Sequence, residues 1–293
     1  MVVRDICEPC VFGKAAMTPM PSAGVARVTK QLQFVHSDLG GPMSEPFRGV
    51  LIYFGTFTDA FCRWTGVVFS HKKSDLLAEY KKWLNKAQLH TGNRNIFRSD
   101  NGGEYESSAF EALHDENGTT HQTTVPDTPL QNGVAERLNR VLVGMARTMM
   151  RNKDVDQDLW ADAIKTAVYI INRVTSRALP VGKTPHELWT GNKLNVSCMR
   201  VFVSTCWVSM HKSHIDGLLG DMAANGILVG YPDGSKAYKV FLDDGKVDKA
   251  RSVVFSENTS SKVSDVPENS PVGNAVEGET AIDAGSDDQD VDA

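Results

Sequence analysis

The chain has 293 residues, 41% hydrophobic and 23% charged, with a formal net charge of −5, which is globular composition sufficient for one large domain or two modest ones. No apolar run approaches a membrane span, and the opening MVVRDICEPC carries charges and a proline where a signal peptide needs an apolar stretch. The sequence therefore reads as soluble and not secreted. Cys7, Cys10, Cys62, Cys198 and Cys206 are odd in number and mostly scattered, which speaks against a disulfide framework and for a reducing compartment. The charge is split: residues 257–293 hold ten acids and one lysine, leaving the preceding residues at +4. That tail has no aromatic residue and too little apolar surface to offset its ordering entropy, so it is expected to be disordered, and the overall pI says nothing of what the body binds.

In chain order, a linker near residues 15–28 precedes QLQFVHSDLG, where Leu32, Phe34, His36 and Asp38 alternate onto one side of a strand. VLIYFGTFTDAF and WTGVVFSH read as two further strands, completing an antiparallel meander. Ser74 is expected to cap a helix carrying Leu76, Leu77, Tyr80, Trp83, Leu84 and Ala87 at helical spacing, stopped by Gly92. NIFRSD is a short strand ending in Asp100, followed by the turn NGGE. Ser108 and Glu111 suit a capping box for a second helix that stops near Gly118, and TTHQTTV is a fifth strand.

Two long helices are predicted over 133–152 and 157–176. The first turns Val134, Leu138, Val141, Leu142, Met145 and Met149 inward; the second does so with Leu159, Ala163, Ala167, Ile170 and Ile171. Thr184, Pro185 and Glu187 supply the cap, first-turn proline and N3 glutamate of a short helix. From about 197 to 255, short strands punctuated by Asp-Gly turns suggest a small β-barrel. The element order implies a mixed sheet flanked by helices.

Three carboxylates stand out by position. Asp38 ends the first strand, Asp100 ends the fourth, and Glu136 lies near the start of a helix that must pack on the same sheet. The plain reading of Glu136 is an i,i+4 partner of Arg140 on a solvent-exposed face that also carries Arg147. The alternative is convergence: if the first and fourth strands are neighbours, the acids meet at one edge of the core. They would then repel one another unless a cation sits between them. Few, hard oxygen ligands suit Mg²⁺ or Mn²⁺, and two such ions can promote in-line displacement at a phosphodiester.

HSDLGGPM, FRSDNGGEY and TPLQNGVAERLNR, in this order and with 35 residues between the last two acids, closely resemble the D,D(35)E core of retroviral-type integrases, in particular those of copia-type LTR retrotransposons. The resemblance runs from Cys7 to about Phe255 and is strongest over residues 34–151. It implies a ribonuclease-H-like fold with a five-stranded mixed sheet, and an enzyme that trims the ends of element DNA and joins them to target DNA. It also implies Asp38, Asp100 and Glu136 as catalytic, metal-binding acids, Mg²⁺ or Mn²⁺ as cofactor with two ions expected, and a homo-oligomer. Arg137, Arg140 and Arg147 are candidates for phosphate contacts.

In the resembled family a His pair precedes the Cys pair of a zinc module. Here CEPC offers only Cys7 and Cys10, two of four ligands, so zinc is not expected and the module is read as an N-terminally truncated remnant. The domains are expected as 1–18 remnant, 19–29 linker, 30–190 catalytic core, 191–256 small β-rich domain and 257–293 acidic tail. His71, His90, His114 and His121 are read as surface or strand residues, and Trp64, Trp83, Trp160, Trp189 and Trp207 as core. Asn101, Gly102 and Gly103 are read as turn-formers that aim Asp100. Lys236, Lys239, Lys246, Lys249 and Arg251 suit DNA backbone or mere solubility equally. Rival functions are a cut-and-paste transposase, a nuclease, or an inactive or repurposed DNA-binding remnant. The chemistry points to the nucleus, with the cytoplasm as the other compartment.

Overall fold

The computed structural model describes residues 28–91, 96–100, 102–123, 132–151, 155–210 and 220–257. The remnant bearing Cys7 and Cys10, and the tail beyond Glu257, lie outside the described residues. The first sheet comprises β1 (Phe34–Gly40), β2 (Tyr53–Asp59), β3 (Thr65–Ser70), β4 (Ile96–Ser99) and β5 (Thr120–Thr123) in the order β3-β2-β1-β4-β5. β1, β2 and β3 form the expected antiparallel meander, whereas β4 runs parallel to β1 and β5 parallel to β4. Parallel neighbours need crossovers, supplied by α1 (Leu76–Thr91) and α2 (Ser108–Glu116). α3 (Gly133–Arg151), α4 (Trp160–Ile171) and α5 (Pro185–Thr190) follow. This is the ribonuclease-H-like arrangement.

Both faces of the sheet are covered. On one, Val35, Phe57 and Phe97 pack with Leu76, Tyr80 and Phe110 of α1 and α2. Phe57 stacks on Trp83 at 4.7 Å, and a Cβ at Gly66 would fall 1.9 Å from Trp83 Nε1, so the strand requires glycine there. On the other face, Phe54 joins Leu142, Ala146, Trp160, Ile164 and Ala167 of α3 and α4. β1 is thus buried on both sides at Phe34, Val35, His36 and Ser37. The expected one-sided alternation is that of a half-exposed strand, and it gives way to a central one. Leu32, placed in that pattern, precedes the strand with φ 56°.

Several local expectations are corrected. Ser74 is not the cap: a 3₁₀ turn, Lys73–Asp75, precedes α1, and the Asp75 carboxylate accepts from Lys72 N at 3.0 Å. α2 is capped by Ser107 without a side-chain hydrogen bond, so the Ser108–Glu111 box does not form. α4 ends at Ile171, short of 176; Asn172 turns its amide onto the backbone of Thr65, donating to the carbonyl at 2.8 Å and accepting from the N–H at 2.9 Å. The α5 cap is as expected, with Thr184 Oγ1 accepting from Glu187 N and Gly191 closing the helix at φ 74°.

The second sheet, β6 (Thr205–Ser209), β7 (Ala223–Gly230), β8 (Tyr238–Leu242), β9 (Val247–Ala250) and β10 (Val253–Ser256), is antiparallel throughout in the order β10-β6-β7-β8-β9. Cys206, Val208, Val240 and Ala250 form its own interior. Its opposite face packs on α4: Phe202, Val203 and Val229 are buried in the same cluster as Trp160 and Leu142, with Ile227 and Phe241 against it. Buried Asp162 of α4 takes an ion pair from Lys239, and Arg48 stands 3.8 Å from its other oxygen. The second sheet therefore shares apolar core with the first, and a buried charge group spans them.

Candidate active site

The parallel pairing of β1 with β4 aligns Phe34 with Ile96, Val35 with Phe97 and His36 with Arg98. Two residues further on, along strands whose side chains alternate, Asp38 and Asp100 come to the same face at the same edge. The expected juxtaposition of the two acids is what this register produces.

α3 brings Glu136 to that edge. Asn132 donates from Nδ2 to the Ser37 carbonyl at 3.1 Å, and its own carbonyl accepts from Ala135 N and Glu136 N. The start of the helix is thereby tied to the strand bearing Asp38. Of the stripe counted from Val134, Leu142 is buried and Leu138, Met145 and Met149 pack against the core, whereas Val141 is 52% exposed; Ala135, Asn139 and Ala146 complete the buried face of α3. Glu136 neighbours this buried face and is close enough to Asp38 to act on it electrostatically.

Asn139, one turn after Glu136, is the residue that reading the sequence missed. Its Nδ2 donates to Asp38 Oδ2 at 2.8 Å while its Oδ1 accepts from Thr56 Oγ1 at 2.8 Å. The Thr56 hydroxyl thus fixes which way the amide faces. On the other side of the sheet Tyr105 is wholly buried and shares a hydrogen bond of 2.8 Å with Ser37 Oγ. Burial pushes the Tyr105 hydroxyl far above its usual range. The Asp100 carboxylate accepts from Gly102 N at 3.2 Å, while Ser99 Oγ meets His121 Nε2 at 2.9 Å.

Electrostatics ties the three acids together. The Asp38 carboxyl is raised from 3.8 to about 7, first by burial and then by the charges of Asp100 and Glu136, against the opposing hydrogen bonds from Asn139 and the Leu39 backbone. Among the described residues no group of three or more His, Cys, Asp or Glu is arranged so that it could hold an ion as placed.

The other candidates fall as follows. Arg137, Arg140 and Arg147 are exposed on α3, and none is paired with a carboxylate among the described residues, so the plain reading of Glu136 as the ion-pair partner of Arg140 does not hold. Lys239 is engaged with Asp162, and Lys246 with Asp244. His114, read from sequence as a surface or strand residue, is buried at 2% on α2 among Phe97, Phe110 and Tyr80. Trp207, expected in a core, is 41% exposed beside Val254, its cross-strand partner on β10. Gly102 and Gly103 do not adopt positive φ; a Cβ at Gly102 would strike the Glu104 carboxylate at 2.8 Å, and Gly103 faces open space. Cys62 and Cys206 are buried and Cys198 is exposed, all three as free thiols. No helix among the described residues is long and apolar enough to cross a membrane.

Comparison with known proteins sets this geometry in a lineage. Over 264 residues, 89% of this chain, it is 33% identical to the retrovirus-related Pol polyprotein from transposon TNT 1-94 of Nicotiana tabacum. The chain is a homologue of copia-type retrotransposon Pol polyproteins. A second homologue, the Pol polyprotein from transposon RE1 of Arabidopsis thaliana, is 29% identical over 262 residues, 86% of the chain. The chain spans 20% and 17% of the lengths of these two polyproteins. Residues 204–269 match the retroviral polymerase SH3-like domain.

Among solved structures, a simian T-cell lymphotropic virus intasome in complex with PP2A regulatory subunit B56 gamma aligns with TM-score 0.49 and 19% identity, covering 83% of this chain and 84% of the other. The HTLV-2 integrase catalytic core domain in complex with magnesium aligns with TM-score 0.43 and 17% identity, covering 56% and 99%. The fold assignment rests on the strand order and pairing given above.

Proposed function

We propose that this segment is an integrase that catalyses divalent-cation-dependent trimming of element DNA ends and their joining to target DNA. Its site is Asp38, Asp100 and Glu136. The observation that carries the reading is the parallel β1–β4 register, which brings Asp38 and Asp100 to one face of the sheet, with Glu136 close enough to act electrostatically on Asp38. Three carboxylates gathered there repel one another, and a cation between them would offset that repulsion. The donor set is all carboxylate oxygen, which fits Mg²⁺ or Mn²⁺ better than softer metals. When bound, a divalent cation supplies positive charge to the phosphodiester under attack.

The chain's own groups have distinct tasks in this scheme. Asn139 orients Asp38 through Oδ2, Gly102 N orients Asp100, and Asn132 sets the start of the helix that presents Glu136. In trimming, a water oxygen forms a bond to phosphorus as the bond to the departing 3′ oxygen breaks. In joining, the freed 3′-hydroxyl attacks a target phosphodiester in the same sense. One P–O bond forms and one breaks in each step, so neither needs an outside energy source, and no covalent enzyme intermediate is required. Arg137, Arg140 and Arg147, exposed and paired with no acid among the described residues, would meet DNA phosphates in this scheme. The working form is proposed to be a homo-oligomer acting in the nucleus, where target DNA lies.

Incubating the full chain with Mg²⁺ or Mn²⁺ and labelled duplexes bearing the element's terminal sequence is expected to give 3′-trimmed strands and longer joined products. Asp100→Asn and Glu136→Gln should each remove both products while leaving the thermal melt cooperative. Joining retained in either variant would overturn the assignment, and nicking without joining would replace integrase with nuclease.

A further inference from the structure

The sheet face that carries the acids also carries a basic group. His36 and Arg98 are register partners two residues before Asp38 and Asp100, hence about 7 Å back along the strands on the same face. Arg98 is half-buried; its guanidinium lies 4.8 Å from the Phe34 ring centroid and donates from Nη2 to Gln122 Oε1 at 2.7 Å. Arg63, half-buried in the turn after β2, joins Arg98 in acting electrostatically on His36. Among the described residues neither arginine is paired with a carboxylate. His36 is 8% exposed and its Nδ1 has no hydrogen-bond partner.

This arrangement calls for an anion. Two half-buried guanidinium groups, each close enough to His36 to act on it electrostatically, lose solvation without a counter-charge. The packing ring and the Gln122 amide hold Arg98 in one orientation, with donors left over, as planar phosphate recognition requires. Among the described residues α3 and α4 make their substantial sheet contacts with β1, β2 and β3, and Arg98 on β4 is only half-buried.

We propose that Arg98, Arg63 and His36 form a phosphate subsite that takes the DNA backbone one nucleotide away from the phosphodiester being cut. The inference rests on the integrase reading above and adds to it the residues that fix the strand's position. The acids hold the reacting phosphate, the basic group holds its neighbour, and the strand is thereby drawn across the sheet edge in one register. Neither arginine touches the reacting atoms. Both are positioning residues.

The test is the salt dependence of DNA binding, measured by anisotropy of a labelled duplex with a recessed 3′ end, on the full chain over about 50 to 200 mM salt. Each phosphate contact contributes about −0.9 to the slope of log affinity against log salt. Arg98→Gln and Arg63→Gln are each expected to reduce the slope's magnitude by about 0.9. Arg98→Lys should restore most of it, and Arg177→Gln, at an exposed site far along the chain, should leave it unchanged. Folded Arg98→Gln and Arg63→Gln proteins that both keep the wild-type slope would overturn the subsite while leaving the integrase reading intact. A wild-type chain with no salt-dependent binding would overturn both.

Discussion

Replacing Asp38 with asparagine is expected to raise the stability of the cation-free protein at pH 8 while lowering strand joining by about 10³-fold or more. The wild-type carboxyl titrates at about 7 in the fold against an ordinary 3.8. At ~1.4 kcal/mol per unit, ionising it in the folded state costs about 4 kcal/mol, of which a gain of about 2 kcal/mol should survive the imperfect fit of an amide. The substituted amide keeps an oxygen for the Asn139 donor. The sign follows from the raised value: between pH about 4 and about 7 the folded wild type holds a proton that the unfolded chain has lost, so its stability falls as pH rises. The asparagine variant has no such loss. Its advantage should be absent below about pH 4, grow through the interval and level off above about 7, in melts or denaturant titrations followed against pH. Mg²⁺ should stabilise the wild type and not the variant, narrowing the gap. A variant no more stable than wild type at pH 8 would mean that Asp38 is not under repulsion.

Asn139→Ala should move stability the other way. Asn139 is 8% exposed and makes both of its hydrogen bonds inward, to Asp38 Oδ2 and from Thr56 Oγ1. Truncation leaves the buried Thr56 hydroxyl and the half-buried Asp38 carboxylate each short of a partner, at about 1–3 kcal/mol. It also removes one of the few interactions that favour ionised Asp38. Joining should therefore fall by about 10²-fold, with the loss shrinking as pH is raised and Asp38 ionises. Thr56→Val, which frees the amide without deleting it, should give a smaller loss of the same kind. A pH-independent loss would reduce Asn139 to a packing role.

Asp38 and Asp100 were legible because each closes an apolar run, and the parallel register of β1 and β4 carries the alternation straight to them. Glu136 was legible through the wording of its motif, but the side of α3 it belongs to was not. Counting large apolar residues selects Val134, Leu138, Val141, Leu142, Met145 and Met149, of which Leu142 is buried and Leu138, Met145 and Met149 pack on the core, but it passes over the buried Ala135, Asn139 and Ala146. Small and polar residues carry little weight in such a count. Asn139 escaped notice because its function lies in partners 83 and 101 positions away. His114 and Trp207 failed for a related reason: burial at each depends on which sheet face a neighbouring element covers, and periodicity carries no such information. The helix caps at Ser74 and Ser108 missed by one or two residues because a 3₁₀ turn and an unbonded Ser107 took those places.

The most direct measurement is anomalous diffraction at the manganese edge from crystals of the chain grown with Mn²⁺. Peaks between the Asp38 and Asp100 carboxylates, with Glu136 swung in to the same position and no such peaks in Asp100→Asn crystals, are the expected result. Ordered crystals in saturating Mn²⁺ with no density between those two strand ends would contradict the assignment of the three acids as a cation site.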